Sequence, residues 1–199
     1  GQSGNRTAKE IIFLAHSMGN LVVRSAMVID TRYSDHAVNV PLILSIAAPS
    51  NGASAAEFAD LWSKNPQYSE MARIRSNAFL QLLNGVWKHN PPIDTEIACA
   101  YEQNFMPGTR IKVVTEQSAT AVCTRRPPLG IRGDHSSIVK PATEQDPIHR
   151  WVTEQIQAPR KTSVAKAPER WQQRAVVVGG KDFLESNVLA AVMAFAINP

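Results

Sequence analysis

The chain lacks several features that would assign it to a specialised class of protein. No apolar run in its 199 residues approaches the roughly 20 that a membrane-spanning helix requires. It has only two cysteines, Cys99 and Cys123, which are too few for the disulfide framework of a small secreted domain, and their spacing suits no zinc site. We therefore expect buried or free thiols there, and neither a metal nor another cofactor.

Charge of one sign is not dominant either. The net charge is +4, with 19% charged and 44% hydrophobic residues, which suits one sizeable core. Basic residues in the ranges 125–132 and 160–174 would favour anionic lipids or phosphate-bearing esters, although a solvated surface explains them more simply. No motif or aromatic interleaving indicates a nucleic-acid partner. We expect a cytoplasmic location, with an upstream signal left open; the oligomeric state is not indicated.

The strongest positive feature is the segment 11–20, IIFLAHSMGN, in which an apolar strand-like run meets a helical pattern. Ala15 and Gly19 stand two residues on either side of Ser17, where a sharp strand-to-helix turn allows only small side chains. This is the G-x-S-x-G nucleophile elbow with alanine first. It predicts Ser17 as a nucleophile and the Met18 amide as an oxyanion donor; the alternative is that S-M-G merely tightens a turn.

A serine hydroxyl needs a histidine base and a carboxylate that orients it. Of the five histidines, His135 has the most suitable context, a glycine-punctuated loop, GIRGDHSSIVKP, that follows the last predicted strand. His16 adjoins the serine and is expected to point to the other side of the elbow. The other three lie in polar or proline-flanked stretches.

The position of the acid follows from the order of the strands. Three apolar runs after the elbow predict buried parallel strands, at 41–48, 97–101 and 111–115. In an α/β-hydrolase sheet whose fifth strand is the elbow strand, these are strands six to eight, and the acid follows the seventh. Glu102 is then the predicted acid and Glu116 the runner-up. Asp134 is interpreted as a loop former or as an outer contact to the base.

Four motifs in this order resemble a known family. They are AHSMGNLVVR, SIAAPSNGAS, AYE and GDHSSIVKP. Over roughly residues 8–156 the chain is similar to lipase-like α/β-hydrolases related to GPI-inositol deacylase and to the serine active-site-containing proteins. The resemblance implies a serine esterase acting on lipid esters, with Ser17 as nucleophile, Glu102 as acid and His135 as base. Where relatives commonly have T-P-H-x-G-S, Ser50 replaces the histidine, so substrate-side contacts are unassigned.

The predicted fold class is α/β, an α/β-hydrolase fold from the elbow strand onward, with a mostly parallel sheet and flanking helices. Residues 1–157 are interpreted as the C-terminal half of such a domain, without the first four strands or a second oxyanion donor. This predicts an exposed edge on the elbow strand and a chain that is poorly active alone. Residues 53–87 are predicted to be helical. They form either part of the ordinary core or a cap over the site.

Beyond the hydrolase part, residues 158–174 are interpreted as a basic polar linker. Residues 175–199 are predicted to form a β-turn-α fragment with a helical tail from 188 to 197, either the start of a second domain or a piece that packs on the hydrolase.

The function predicted from the sequence is hydrolysis of a carboxylic ester through an acyl-enzyme intermediate. Two alternatives stay open: a non-catalytic interaction or membrane-docking module of the same fold, and an acyltransferase that uses the same three residues. The expected partner is an ester or lipid substrate, with peripheral membrane contact as a further option.

Overall fold

A computed structural model describes residues 10–33, 39–53, 78–92, 94–159, 174–178 and 192–197. These residues form six strands: β1 (Glu10–His16), β2 (Leu42–Ile46), β3 (Glu96–Glu102), β4 (Arg125–Ile131), β5 (Arg174–Val178) and β6 (Val192–Ile197). They also form four helices: α1 (Gly19–Tyr33), α2 (Ala78–His89), the single turn α3 (Glu116–Ala119) and α4 (Pro147–Gln157). Most of the predicted helical insertion and most of the linker lie outside the described residues; α2 confirms the end of the insertion as helical.

The six strands form one sheet in the order β4-β3-β2-β1-β6-β5. β1 to β4 run parallel to one another, whereas β6 runs antiparallel to both β1 and β5. The chain is thus an α/β protein with a four-stranded parallel sheet flanked by helices. The parallel strands place their carboxyl ends at one edge of the sheet, where Ser17 and Glu102 lie.

The prediction of the last parallel strand is wrong. Residues 111–115 form no strand, and β4 instead contains Pro127 and Pro128. Proline cannot donate a ladder hydrogen bond and is confined to edge strands and bulges. β4 lies at one edge of the sheet, and its pairing with β3 shifts register between Ala98 and Ala100, so both prolines are accommodated.

The C-terminal residues also differ from expectation. The helix predicted over 188–197 is contradicted by β6, which pairs with β1 from Glu10 to Ala15. The predicted exposed edge of β1 is therefore covered. A short apolar run fits a buried strand and a buried helix equally well, and here the free edge of β1 decides in favour of the strand. Assignment of 175–199 to a separate domain stays a prediction.

The side chains of the parallel strands alternate between two apolar layers. One face packs against α4 through a cluster that includes Ile12, Leu44, Ile131 and Trp151. The other face packs against α1 and α2 through a cluster that includes Val23, Ile43, Trp87 and Ile97. Burial of each large apolar side chain contributes about 1.5–3 kcal/mol, so the helices hold the sheet from both sides.

Cys99 and Cys123 form a disulfide, which corrects the expectation of free or buried thiols. The two Cα atoms are 5.8 Å apart, within the range that a disulfide allows. The bond joins the middle of β3 to the segment between α3 and β4. The disulfide therefore closes a covalent loop of the chain that contains Glu102.

Within the part of the chain that the structure describes, no helix has the length and apolar character needed to cross a membrane.

Candidate active site

The strand-to-helix turn predicted around Ser17 is present. β1 ends at His16, α1 begins at Gly19, and Ser17 lies between them with a φ of 53°. This left-handed conformation is unfavourable for a non-glycine residue and costs about 1–3 kcal/mol, which surrounding contacts must offset. The Ser17 amide donates to the Ile46 carbonyl at 2.9 Å, which fixes the turn to β2. A serine held in this way presents its hydroxyl at the carboxyl edge of the sheet.

His135 lies beside that hydroxyl. Its Nε2 atom is 3.0 Å from Ser17 Oγ, although the two residues are 118 positions apart in the sequence. His135 stands in the loop after β4, which packs back onto the sheet through the buried side chain of Ile138. The sequence prediction that these two residues meet is confirmed.

Glu102, the last residue of β3, completes the group. Its Oε2 atom lies 2.6 Å from His135 Nδ1, and its Oε1 atom accepts the Val114 N–H at 2.9 Å. Ser17, Glu102 and His135 are 1%, 1% and 2% exposed. Hydrogen bonds between such desolvated groups are electrostatically stronger than the same bonds in water, so the three side chains hold one another in place.

These contacts determine the protonation pattern of His135. An ionised carboxylate can only accept, so the proton of the neutral imidazole lies on Nδ1. The lone pair of Nε2 then faces the Ser17 hydroxyl, which donates to it. This is the arrangement in which an imidazole can remove a proton from a serine.

The Met18 amide stands directly after Ser17, at the N-terminal end of α1. The Met18 carbonyl already accepts from Leu21 and Val22, as at the start of a helix, and among the described residues no acceptor is found for the Met18 N–H. The positive end of the α1 dipole lies at this same N-terminal end of the helix. This amide is therefore suitably placed to stabilise negative charge that forms beside Ser17.

The two other carboxylates have different partners. Glu116, the runner-up for the acid, hydrogen-bonds with Tyr101; burial and this carboxylate together raise the pKa of the Tyr101 phenol. Asp134 accepts the amides of Ser136 and Ser137 at 2.9 and 3.2 Å and the Ser137 hydroxyl at 2.7 Å. Of its two interpretations, the structure supports the loop former.

Hydrogen bonds also set the charge state of Asp134. Partial burial raises the pKa of its carboxyl, but the hydrogen bonds from Ser137 and Ser136 outweigh this effect and leave the pKa below its ordinary value. The ionised form is thus the one that organises the loop carrying His135.

Two contacts in the site were not predicted from the sequence. One is the Val114 amide, which lies in the stretch predicted as the last strand. The other is His16, whose Nε2 atom lies 2.9 Å from the backbone carbonyl of His135 rather than pointing away from the site. The only available signal for His16 was alternation: it shares a strand face with Ile12 and Leu14, which pack in the same cluster as Ile138.

Ser50 is buried, with no exposed surface. Its carbonyl accepts from Asn84, which in turn accepts from Arg24 at 2.9 Å, so this chain of bonds ties α1, α2 and the loop after β2 together. Arg24 is fully buried and stacks on Trp87 at 4.9 Å, and burial lowers its pKa to about 10. Among the described residues, Ser50 is thus tied to the helices, and no hydrogen bond joins it to Ser17, Glu102 or His135.

Comparisons with protein-family models, with curated proteins and with solved structures give no match for this chain. No group of three or more metal-ligating side chains is found in the described ranges.

Proposed function

We propose that the chain is the catalytic part of a serine hydrolase of α/β-hydrolase type that cleaves carboxylic esters. The observation that carries this proposal is the continuous chain of hydrogen bonds from Ser17 Oγ through the His135 ring to Glu102. The positive φ of Ser17 supports it further, because strained backbone conformations cluster at active sites, where surrounding contacts offset their cost.

The first half of the reaction acylates the serine. His135 Nε2 takes the proton of the Ser17 hydroxyl while Oγ attacks the ester carbonyl, and Glu102 stabilises the resulting imidazolium through Nδ1. The Met18 amide donates to the oxyanion of the tetrahedral intermediate. Collapse of the intermediate breaks the ester C–O bond, and the alkoxide leaves with the proton from Nε2.

The second half releases the acid. Water gives a proton to His135 Nε2 and attacks the carbonyl of the acyl-enzyme, and the Met18 amide again holds the oxyanion. The intermediate expels Ser17 Oγ, which recovers its proton from the imidazolium. The substrate is proposed to be a lipid ester on the basis of the sequence resemblance.

The disulfide bears on where such an enzyme would act. Disulfides persist in oxidising compartments and are rare in the cytosol. Since Cys99 and Cys123 are bonded to each other, we propose an oxidising compartment in place of the cytoplasmic location favoured by the sequence.

A fluorophosphonate probe tests the proposal directly, because it reacts only with an activated serine. The complete natural chain is treated with the probe, digested, and the adduct located by peptide mass. We expect labelling at Ser17, none in Ser17→Ala, and a loss of at least about 1,000-fold in labelling rate in His135→Ala.

Circular dichroism of each variant serves as the control for folding. Equal labelling of wild type and His135→Ala would contradict an activated serine, and absence of any adduct in the folded wild type would favour a non-catalytic module of this fold. Product analysis with an added alcohol then shows whether water or an alcohol accepts the acyl group.

A further inference from the structure

His16, the residue before the nucleophile, contacts the backbone of the base. Its Nε2 atom lies 2.9 Å from the His135 carbonyl oxygen, and the two rings lie 4.7 Å apart, tilted by 40°. His16 is 3% exposed. A carbonyl oxygen only accepts hydrogen bonds, so His16 Nε2 must carry the proton that it donates.

This bond closes a ring of contacts around the reacting atoms. Ser17 Oγ is bonded to the His135 ring, the backbone of His135 is bonded to the His16 ring, and His16 is covalently joined to Ser17. The hydrogen bonds of Asp134 order the His135 loop internally, and Ile138 attaches that loop to the core. The bond from His16 joins the backbone of the base to the residue that precedes the nucleophile.

We propose that His16 is a positioning residue that sets the distance between His135 Nε2 and Ser17 Oγ by holding the base through its main chain. The proposal rests on the proposed serine hydrolase function. A buried histidine could satisfy its N–H with any neighbouring carbonyl; here the acceptor belongs to the base, and the donor belongs to the residue next to the nucleophile.

The proposal also requires His16 to be neutral while the reaction occurs. His135 becomes an imidazolium when it takes the serine proton. A second positive charge on a ring centred 4.7 Å away would oppose that step, since like charges disfavour each other strongly in a buried site. A neutral ring with its proton on Nε2 holds the loop and avoids this penalty.

A pair of variants of similar length tests the role. His16→Gln keeps an N–H donor near the position of Nε2, whereas His16→Met keeps the bulk without the donor. We expect His16→Met to lower kcat roughly 100-fold with little change in KM, the effect of a small displacement of a catalytic group. We expect His16→Gln to recover most of this loss.

Equal loss in both variants would reduce His16 to a packing residue, and wild-type kcat in His16→Met would overturn the proposal. Thermal unfolding of each variant serves as the control for folding.

Two NMR measurements read the positioning without catalysis. The downfield proton signal of His135 Nδ1–H should persist in His16→Gln and broaden or shift in His16→Met. The nitrogen shifts of His16 in the wild type should report the neutral ring protonated on Nε2; protonation on Nδ1 instead would overturn the proposal even if His16→Met does not fold. If the fluorophosphonate test fails while both signals behave as expected, the proposed function falls and the positioning contact stands.

Discussion

The Val114 amide donates to Glu102 Oε1 at 2.9 Å and thereby leaves Oε2 to His135. Both oxygens of this buried carboxylate are therefore used by N–H donors, each of which can only donate. The site around Glu102 is built for an ionised group with two acceptor atoms.

Replacement of Glu102 by glutamine should disable the site while preserving its shape. The amide offers only one acceptor atom, and two buried N–H groups would clash if its NH₂ faced Val114. The amide oxygen therefore accepts from Val114 and the NH₂ donates to His135 Nδ1, so the ring proton moves to Nε2, which can no longer accept the Ser17 proton. We expect Glu102→Gln to lower kcat about 10³–10⁴-fold with a small effect on KM. Steady-state hydrolysis of a chromogenic ester measures both. Glu116→Gln is the matched control and should retain activity; the reverse pattern would make Glu116 the acid.

Gly133 should tolerate no side chain, because the His135 loop folds tightly on itself. A Cβ atom at this position would lie 2.6 Å from Ile138 Cγ2, and Ile138 is buried in the core. We expect Gly133→Ala to cost about 1–3 kcal/mol and to lower kcat by displacing His135. Urea unfolding and ester hydrolysis test the two effects.

Gly85→Ala provides the control for the Gly133 variant. Gly85 lies in α2 with no neighbour within 4 Å of a Cβ atom, so alanine should stabilise the helix by about 1 kcal/mol and leave kcat unchanged. Equal stability of Gly133→Ala and wild type would show that the loop can accommodate a Cβ atom at this position.

Reduction of the disulfide should weaken the half of the sheet that carries the acid. The bond closes a loop with a sequence separation of 24, for which restriction of the unfolded chain contributes about 3 kcal/mol. We expect the urea midpoint to fall when a reductant is added. The double variant Cys99→Ala/Cys123→Ala should start near the lower midpoint and show no response to reductant. An unchanged midpoint in the wild type would indicate that the thiols are not bonded.

Acid should loosen the His135 loop through Asp134. Because the pKa of Asp134 in the folded chain lies below its ordinary value of 3.8, the ionised carboxylate stabilises the fold. That contribution is fully present above 3.8 and is lost as the pH falls through the lower, folded pKa. We expect Asp134→Asn to be less stable than wild type at neutral pH, and the difference to shrink well below pH 3.8. Urea unfolding at the two pH values measures it; a constant difference would contradict the linkage.

The parts of the site that were predictable from the sequence are those encoded by local sterics and short apolar runs. The elbow at Ser17 requires small residues at fixed spacing. β2 and β3 are largely buried strands, and their continuous apolar runs predict strands wherever they stand in the sheet. Since Glu102 ends β3 and His135 follows the last parallel strand, counting strands was enough to pair them, even though that last strand had been predicted at the wrong place.

The missed features depend on partners far away in the sequence. Pro127 and Pro128 argue against a strand until it is known that β4 lies at the edge of the sheet. The Val114 amide, the His16 contact and the Cys99–Cys123 bond each require two segments to meet in three dimensions. No local pattern distinguishes a valine whose amide donates to a buried carboxylate from one that only fills the core.

The bond between Cys99 and Cys123 makes the acid and its amide partner members of one covalent ring. The ring runs through Glu102, the mostly exposed loop 103–112 and Val114 before it closes at Cys123. A single proteolytic cut in that exposed loop would leave Glu102 on one fragment and Val114 with His135 on the other. The disulfide would keep the two fragments covalently linked, so the nicked molecule would retain Ser17, Glu102 and His135 together. The fragments could separate only after a thiol reduces the disulfide.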